Sequence, residues 1–173
     1  KGHFLAGTDD GMVQLSQDGG GNWENVTPSG LPEWCYVYCI EASRHAPEVF
    51  YLSATSYKLD DYRPLLLKSE DGGRSWKPIN GDYPEGESSR VIREDPKAPG
   101  MLYAGSETGI FFSANDGTNW TKLGGNFPVV PVYDLRIKDD ELIVATHGRS
   151  FWILDELNPL RDCLLYTSDA ADE

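Results

Sequence analysis

The sequence is poor in the features that would place it in several large classes. No apolar run approaches the ~20 residues of a membrane-spanning helix. Basic residues are scarce, 15 Lys and Arg against 28 Asp and Glu, for a net charge of −13. Nucleic-acid binding needs a basic face, so nucleic acid is not an expected partner. The acidity otherwise speaks for a soluble surface and not for a particular ligand. No helical periodicity of useful length is present. P-loop, zinc-ligand and Ser–His–Asp spacings are missing, as are the alternating oxygens of a calcium loop. The expectation is therefore no metal and no cofactor. Cysteine occurs three times in 173 residues. Cys35 and Cys39 lie four apart in an expected strand, on one face, roughly 13 Å apart at ~3.3 Å per residue. A disulfide needs Cα atoms within about 7 Å. Two buried thiols are expected.

What the chain has is a repeat. Ser16-Gln17-Asp18-Gly19-Gly20-Gly21-Asn22-Trp23 recurs as Ser69-Glu70-Asp71-Gly72-Gly73-Arg74-Ser75-Trp76 and as Ser113-Ala114-Asn115-Asp116-Gly117-Thr118-Asn119-Trp120. The tryptophans are 53 and 44 residues apart. Such a period suits a four-stranded propeller blade. The correspondence extends upstream, where Leu5-Ala6-Gly7-Thr8, Tyr103-Ala104-Gly105-Ser106 and Val144-Ala145-Thr146 each end a short apolar strand in a polar turn. Further strands precede these at 35–41, 90–93 and 132–137.

The expected fold is all-β, a propeller of antiparallel blades with strands a to d. Residues 1–30 hold strands b, c and d of one blade. Residues 31–81 and 82–127 hold full blades, and 128–161 hold a, b and c of a fourth. Closed rings have about four to eight blades, so the chain reads as a fragment of a larger ring, and its start without Met or a signal peptide fits that expectation. Residues 162–173 break the pattern and resemble translated sequencing-adapter DNA at the end of a metagenomic gene. They are expected to lie outside the fold.

The repeated turn has a mechanical reading. It sits at the c–d hairpin, where Gly20, Gly73 and Gly117 supply positive φ. The Asp carboxylate and Ser hydroxyl accept backbone N–H groups of their own turn. Trp23, Trp76 and Trp120 are expected to bury their rings between sheets. Asp18, Asp71 and Asp116 are then poor catalytic candidates, and Asn115 takes the structural carboxylate position of the third copy. In an up-and-down blade the b–c and d–a loops share the opposite face. That face carries Asp9, Asp10, Trp34, Glu107, His147, Arg149 and an inserted loop at residues 57–63, with Tyr57, Asp60, Asp61 and Arg63. Carboxylates, a His, arginines and aromatics together suit a sugar or a peptide.

These turns resemble the BNR or Asp-box repeat, Ser-x-Asp-x-Gly-x-Thr-Trp. Copy three departs with Asn115 and Asn119, and its turn is expected to be less tightly capped. The segment Thr146-His147-Gly148-Arg149-Ser150-Phe151-Trp152-Ile153-Leu154-Asp155, with Val91-Ile92-Arg93-Glu94-Asp95-Pro96, resembles secreted bacterial proteins with a sortilin-like (VPS10-like) propeller, often labelled glycosyl hydrolases. The resemblance covers about residues 2–161. It implies an exported protein, extracellular or periplasmic, that binds peptide or carbohydrate without catalysis and needs the remaining blades of its parent chain. The alternative it implies is a glycoside hydrolase with a carboxylate pair. Asp60, Asp61 and Glu107 are the candidates, although the motifs of sialidases and xyloglucan hydrolases cannot be matched. A photosystem-assembly-type factor is a third reading, disfavoured because the basic features it needs are not evident.

Overall fold

The structure is a computed structural model that describes residues 2–162. The expected tail therefore lies outside the described residues, apart from Asp162. Among the described residues, fourteen strands form four antiparallel sheets. The first holds β1 (Phe4–Gly7), β2 (Val13–Ser16) and β3 (Glu24–Asn25). The second holds β4 (Tyr36–Ala42), β5 (Phe50–Ser56), β6 (Asp61–Ser69) and β7 (Lys77–Pro78). The third holds β8 (Ser89–Glu94), β9 (Leu102–Ser106), β10 (Ile110–Ser113) and β11 (Thr121–Lys122). The fourth holds β12 (Val132–Lys138), β13 (Glu141–Thr146) and β14 (Phe151–Leu154). Each sheet is a meander in chain order. Strands β4, β8 and β12 lie side by side as the inner strands. This is the architecture of β-propeller blades.

Alternation along each strand supplies two buried faces, and successive sheets pack through them. On β5, Leu52 and Ala54 point toward the first sheet, where they join Val13, Leu15 and Val37. Tyr51 points the other way, to Leu66, Ile92, Leu102 and Phe111. Between the third and fourth sheets lie Val91, Tyr103, Val132, Leu135 and Val144. The inner strands also share one cation. Buried Arg93 of β8 donates from Nη1 to Cys39 Sγ (2.7 Å) and Glu41 (3.2 Å) on β4. It donates from Nε to the Leu135 carbonyl (2.9 Å) and from Nη2 to Asp134 (2.7 Å) on β12.

Two glycines mark where sheets approach closely. A Cβ on Gly7 would lie 2.3 Å from Val37 Cγ1, and one on Gly105 would lie 2.7 Å from Val132 Cγ1. Both contacts join a b strand to the inner strand of the next sheet. Backbone has to sit against a branched side chain there, so only hydrogen fits.

All three inner strands slip register near their start: between Val37 and Cys39, Ser89 and Val91, and Val132 and Asp134. Each bulge adds one residue and reverses the side-chain parity beyond it. This corrects the expectation for the thiols. Cys35 precedes β4 and is buried between the first two sheets. Cys39 lies past the bulge, is only partly buried, and packs toward the third and fourth sheets. The residues do not share a face. The inserted loop is corrected too. β5 runs on to Ser56 and β6 starts at Asp61, so the insertion is a lengthened hairpin closed by a 3-10 turn at Tyr57–Leu59.

The Ser-x-Asp turns join β2 to β3, β6 to β7 and β10 to β11. In each, the Ser hydroxyl donates to the following carboxylate or amide oxygen at 2.9–3.1 Å. Gly20, Gly73 and Gly117 donate N–H to that Ser oxygen at 2.8–2.9 Å. The Trp indole donates to the carbonyl of the same Gly at 3.0–3.2 Å. Asn115 accepts the Asn119 N–H at 2.8 Å, like its carboxylate counterparts. The third turn keeps the same two donors on one carbonyl oxygen but lacks the bonds a second carboxylate oxygen accepts from Asn22 at Asp18 and from Ser75 at Asp71, in line with the expected weaker cap.

The tryptophans differ in burial. Trp120 is 6% exposed and packs against Ile79 and Tyr83 of the preceding sheet. Trp76 packs on the first–second sheet core and is partly buried. No sheet precedes the first among the described residues, and Trp23 is 49% exposed. Trp120→Ala is therefore expected to cost about 3 kcal/mol or more, the range of large-to-small changes in a core. Trp23→Ala should cost less than about 1 kcal/mol. Urea unfolding of the two variants, read at constant m value, checks the ranking.

Candidate functional site

The turns segregate to two faces. On one, the Ser-x-Asp turns meet the a–b turns: Gly72 N–H bonds the Glu48 carbonyl and Asp116 N–H the Gly100 carbonyl, each at 2.9 Å. On the other, the b–c turns meet the start of the next inner strand or the d–a connection: Val37 N–H of β4 bonds the Thr8 carbonyl at 3.1 Å and His147 N–H the Pro131 carbonyl at 2.9 Å. The first face is closed on itself. Asp18 accepts from Asn22 and Ser16, and its carboxyl is pulled from 3.8 down to about 2. Asp71, bonded first by Ser75, also falls to about 2.

The second face gathers aromatic rings around one cation. The three bulges place Tyr38, Arg90 and Tyr133 at one level of the three inner strands. The Arg90 guanidinium lies 4.4 Å from the Tyr133 ring centre, 5.0 Å from Tyr57 and 5.7 Å from Tyr38. It is 5% exposed and pairs with Glu107 through Nε at 2.7 Å. His147 stacks on Tyr133 at 5.0 Å, and Tyr36 meets Tyr38 at 5.4 Å. Burial raises the Tyr38 pKa, so its hydroxyl stays neutral and able to donate.

The residues singled out from the sequence fall into groups. Tyr57, Glu107 and His147 belong to this cluster. Arg149 is exposed in the same b–c turn, and its carbonyl accepts the Trp152 indole N–H at 2.9 Å. Asp61 and Arg63 are paired with one another at 2.6 Å, which lowers the Asp61 pKa. Asp60 holds the left-handed position that ends the 3-10 turn, φ 60°. Arg63 lines a cavity of about 370 Å³ with Leu65, Asn80, Tyr83 and Glu85. Asp10 and Trp34 line a separate groove of about 350 Å³ at the first sheet, and Asp9 is exposed beside it. Tyr36, Tyr38, Arg90 and Tyr133 were missed. Their signal was a strand-initial Tyr or Arg in each copy, hidden because an unbulged strand would point them elsewhere. Among the described residues no group of His, Cys, Asp and Glu is arranged to hold a metal, and no helix is long and apolar enough to cross a membrane.

No protein-family model matches the chain, and no curated protein matches it in sequence. Solved structures do resemble it in fold. YCF48 bound to D1 peptide gives a TM-score of 0.64 at 19% identity, over 88% of this chain and 46% of that one. The GH74 xyloglucanase from Xanthomonas campestris gives 0.66 at 14% identity, over 88% and 27%. The GH74 enzyme of Niastella koreensis gives 0.63 at 17%, over 90% and 22%. The chain thus shares the β-propeller fold with them, and it spans less than half the length of each.

The depressed carboxyls predict an acid response. A lowered folded-state pKa means stabilisation that is complete above the ordinary value of 3.8 and disappears as pH falls through about 2. Carboxyl-carbon NMR titration should find midpoints near 2 for Asp18 and Asp71. Values near 3.8 would show that the turn hydrogen bonds do not hold in solution.

Proposed function

We propose that this chain is part of an exported, non-catalytic binding propeller that takes a peptide or a glycan on its b–c/d–a face. The convergence of Tyr38, Arg90 and Tyr133 from three bulged strands carries this reading. Tyr36 and Tyr133 keep 37% and 36% of their surface exposed, and partly exposed aromatic rings held beside a fixed cation suit contact with sugar rings or side chains. The candidate carboxylates argue against turnover. A glycosidase acid must hold its proton near the working pH, with its pKa raised. The Arg63 pair moves Asp61 the other way, and Glu107 is committed to Arg90. The likeness to a peptide-bound YCF48 supports a peptide, and the likeness to GH74 enzymes supports a glycan. Export to an extracellular or periplasmic site, and completion of the ring by further blades, follow from the sortilin-like sequence features.

The test is binding and hydrolysis measured together. Plant and microbial polysaccharides and a displayed peptide library should yield a binder without turnover. Tyr133→Ala should weaken it at least tenfold in a folded protein. Hydrolysis that is lost in Asp60→Ala, Asp61→Ala or Glu107→Ala would replace this reading with the glycoside hydrolase.

A further inference from the structure

The five tryptophans of the chain are not equivalent. Trp23, Trp76, Trp120 and Trp152 each donate their indole N–H to a backbone carbonyl. Trp34 makes no hydrogen bond, ring stack or cation contact within the described residues. It is 69% exposed and holds a left-handed φ of 64°. Bulky residues are rare in that region. Here the Cys35 N–H bonds the Pro32 carbonyl at 3.3 Å and closes the turn that presents the ring.

Trp34 lines the groove at the first sheet together with Asp10, Met12, Thr27, Leu31, Pro32 and Glu33. Hydrogen bonds hold Asp10, Met12 and Thr27 of the lining in place. Thr27 accepts the Val13 N–H at 2.9 Å, Thr8 bonds the Met12 N–H at 2.9 Å, and the Thr8 hydroxyl donates to Asp10. The charge of the lining is one-sided. Asp10 and Glu33 are present, Lys and Arg are absent, and neither carboxylate is in an ion pair of the described residues.

An open indole face attracts a cation through its quadrupole. Two flanking carboxylates supply the charge complement, and the mostly apolar lining, with Met12, Leu31 and Pro32, suits the aliphatic stem of a basic side chain. We infer that this groove is a subsite for a Lys or Arg side chain of a peptide ligand. The inference rests on the binding role proposed for the same face and decides between its two ligand classes in favour of a peptide.

The test uses small probes on the full chain. The indole N–H resonance of Trp34, assigned with Trp34→Phe, is followed during titration with Nα-acetyl-lysinamide, Nα-acetyl-argininamide, Nα-acetyl-norleucinamide and methyl β-glucoside. The two cationic probes should move it, with at least tenfold tighter apparent binding than norleucinamide, and the effect should shrink with added salt. Asp10→Asn combined with Glu33→Gln should weaken the cationic probes at least tenfold while the remaining resonances keep their dispersion. No response of Trp34, an equal or stronger response to norleucinamide or to the glucoside, or an unchanged double variant overturns the subsite. None of these touches the Tyr133→Ala result, on which the broader binding role stands.

Discussion

One buried guanidinium sets the geometry of the inner strands. Arg93 is 8% exposed and reaches both of its neighbours, Cys39 and Glu41 on one side and Asp134 and Leu135 on the other. Removing a charge from water costs several kcal/mol unless partners surround it. These four acceptors on the two flanking strands do so only when the strands are in this register. The bulges lie within a few residues of those acceptors, at Tyr38 before Cys39 and at Tyr133 before Asp134. The clamp on the axis and the aromatic cluster above it thus depend on the same alignment.

The molecule separates holding from presenting. On one face the Asp18 and Asp71 carboxylates spend their hydrogen-bonding capacity within their own hairpins, and Asp116 of the third turn clasps Lys68 and Tyr51 of the preceding sheet. On the other, rings and charged groups come from different sheets and meet across the axis. Holding extends to the chain that follows β14: Leu157 is fully buried, and Arg161 bonds Asp95 at 3.0 Å beneath the third sheet. Asp95 is itself inaccessible and also accepts from Lys97 and Ala98 N–H and from the Tyr103 hydroxyl.

The fold was legible because its signal is periodic. A Ser, an acid or amide, a Gly and a Trp at fixed offsets mark each c–d hairpin, and hydrogen bonds within eight residues need no tertiary knowledge to infer. The face that carries the candidate site was legible from strand order alone. The residues at its centre were not. A one-residue bulge leaves no compositional mark, yet it turned Tyr38 and Arg90 toward each other and sent Cys39 away from Cys35. The pairing of Glu107 with Arg90 joins positions 17 apart, and which carboxylate an arginine finds depends on that parity. Nothing in the repeat marks Gly7 and Gly105, whose role is to let Val37 and Val132 in. The inserted residues at 57–63 read as a loop because they lengthen the b–c turn relative to the other copies, and Asp60 and Asp61 are poor strand formers. Extension of an existing ladder outweighed that local preference.

The Ser-x-Asp turns have a kinetic consequence. Each closes a loop of about eight residues, and closure of such short loops takes on the order of 10–100 ns, with a hairpin following in microseconds. The inner strands can align only after whole sheets exist, since their contacts join residues some 40 to 50 positions apart. Local contacts form before distant ones because less chain entropy is lost. The clasps therefore act as timing elements. They deliver finished outer hairpins to an axis that assembles last, and the aromatic cluster, built from residues at that axis, takes shape only when the final alignment is made.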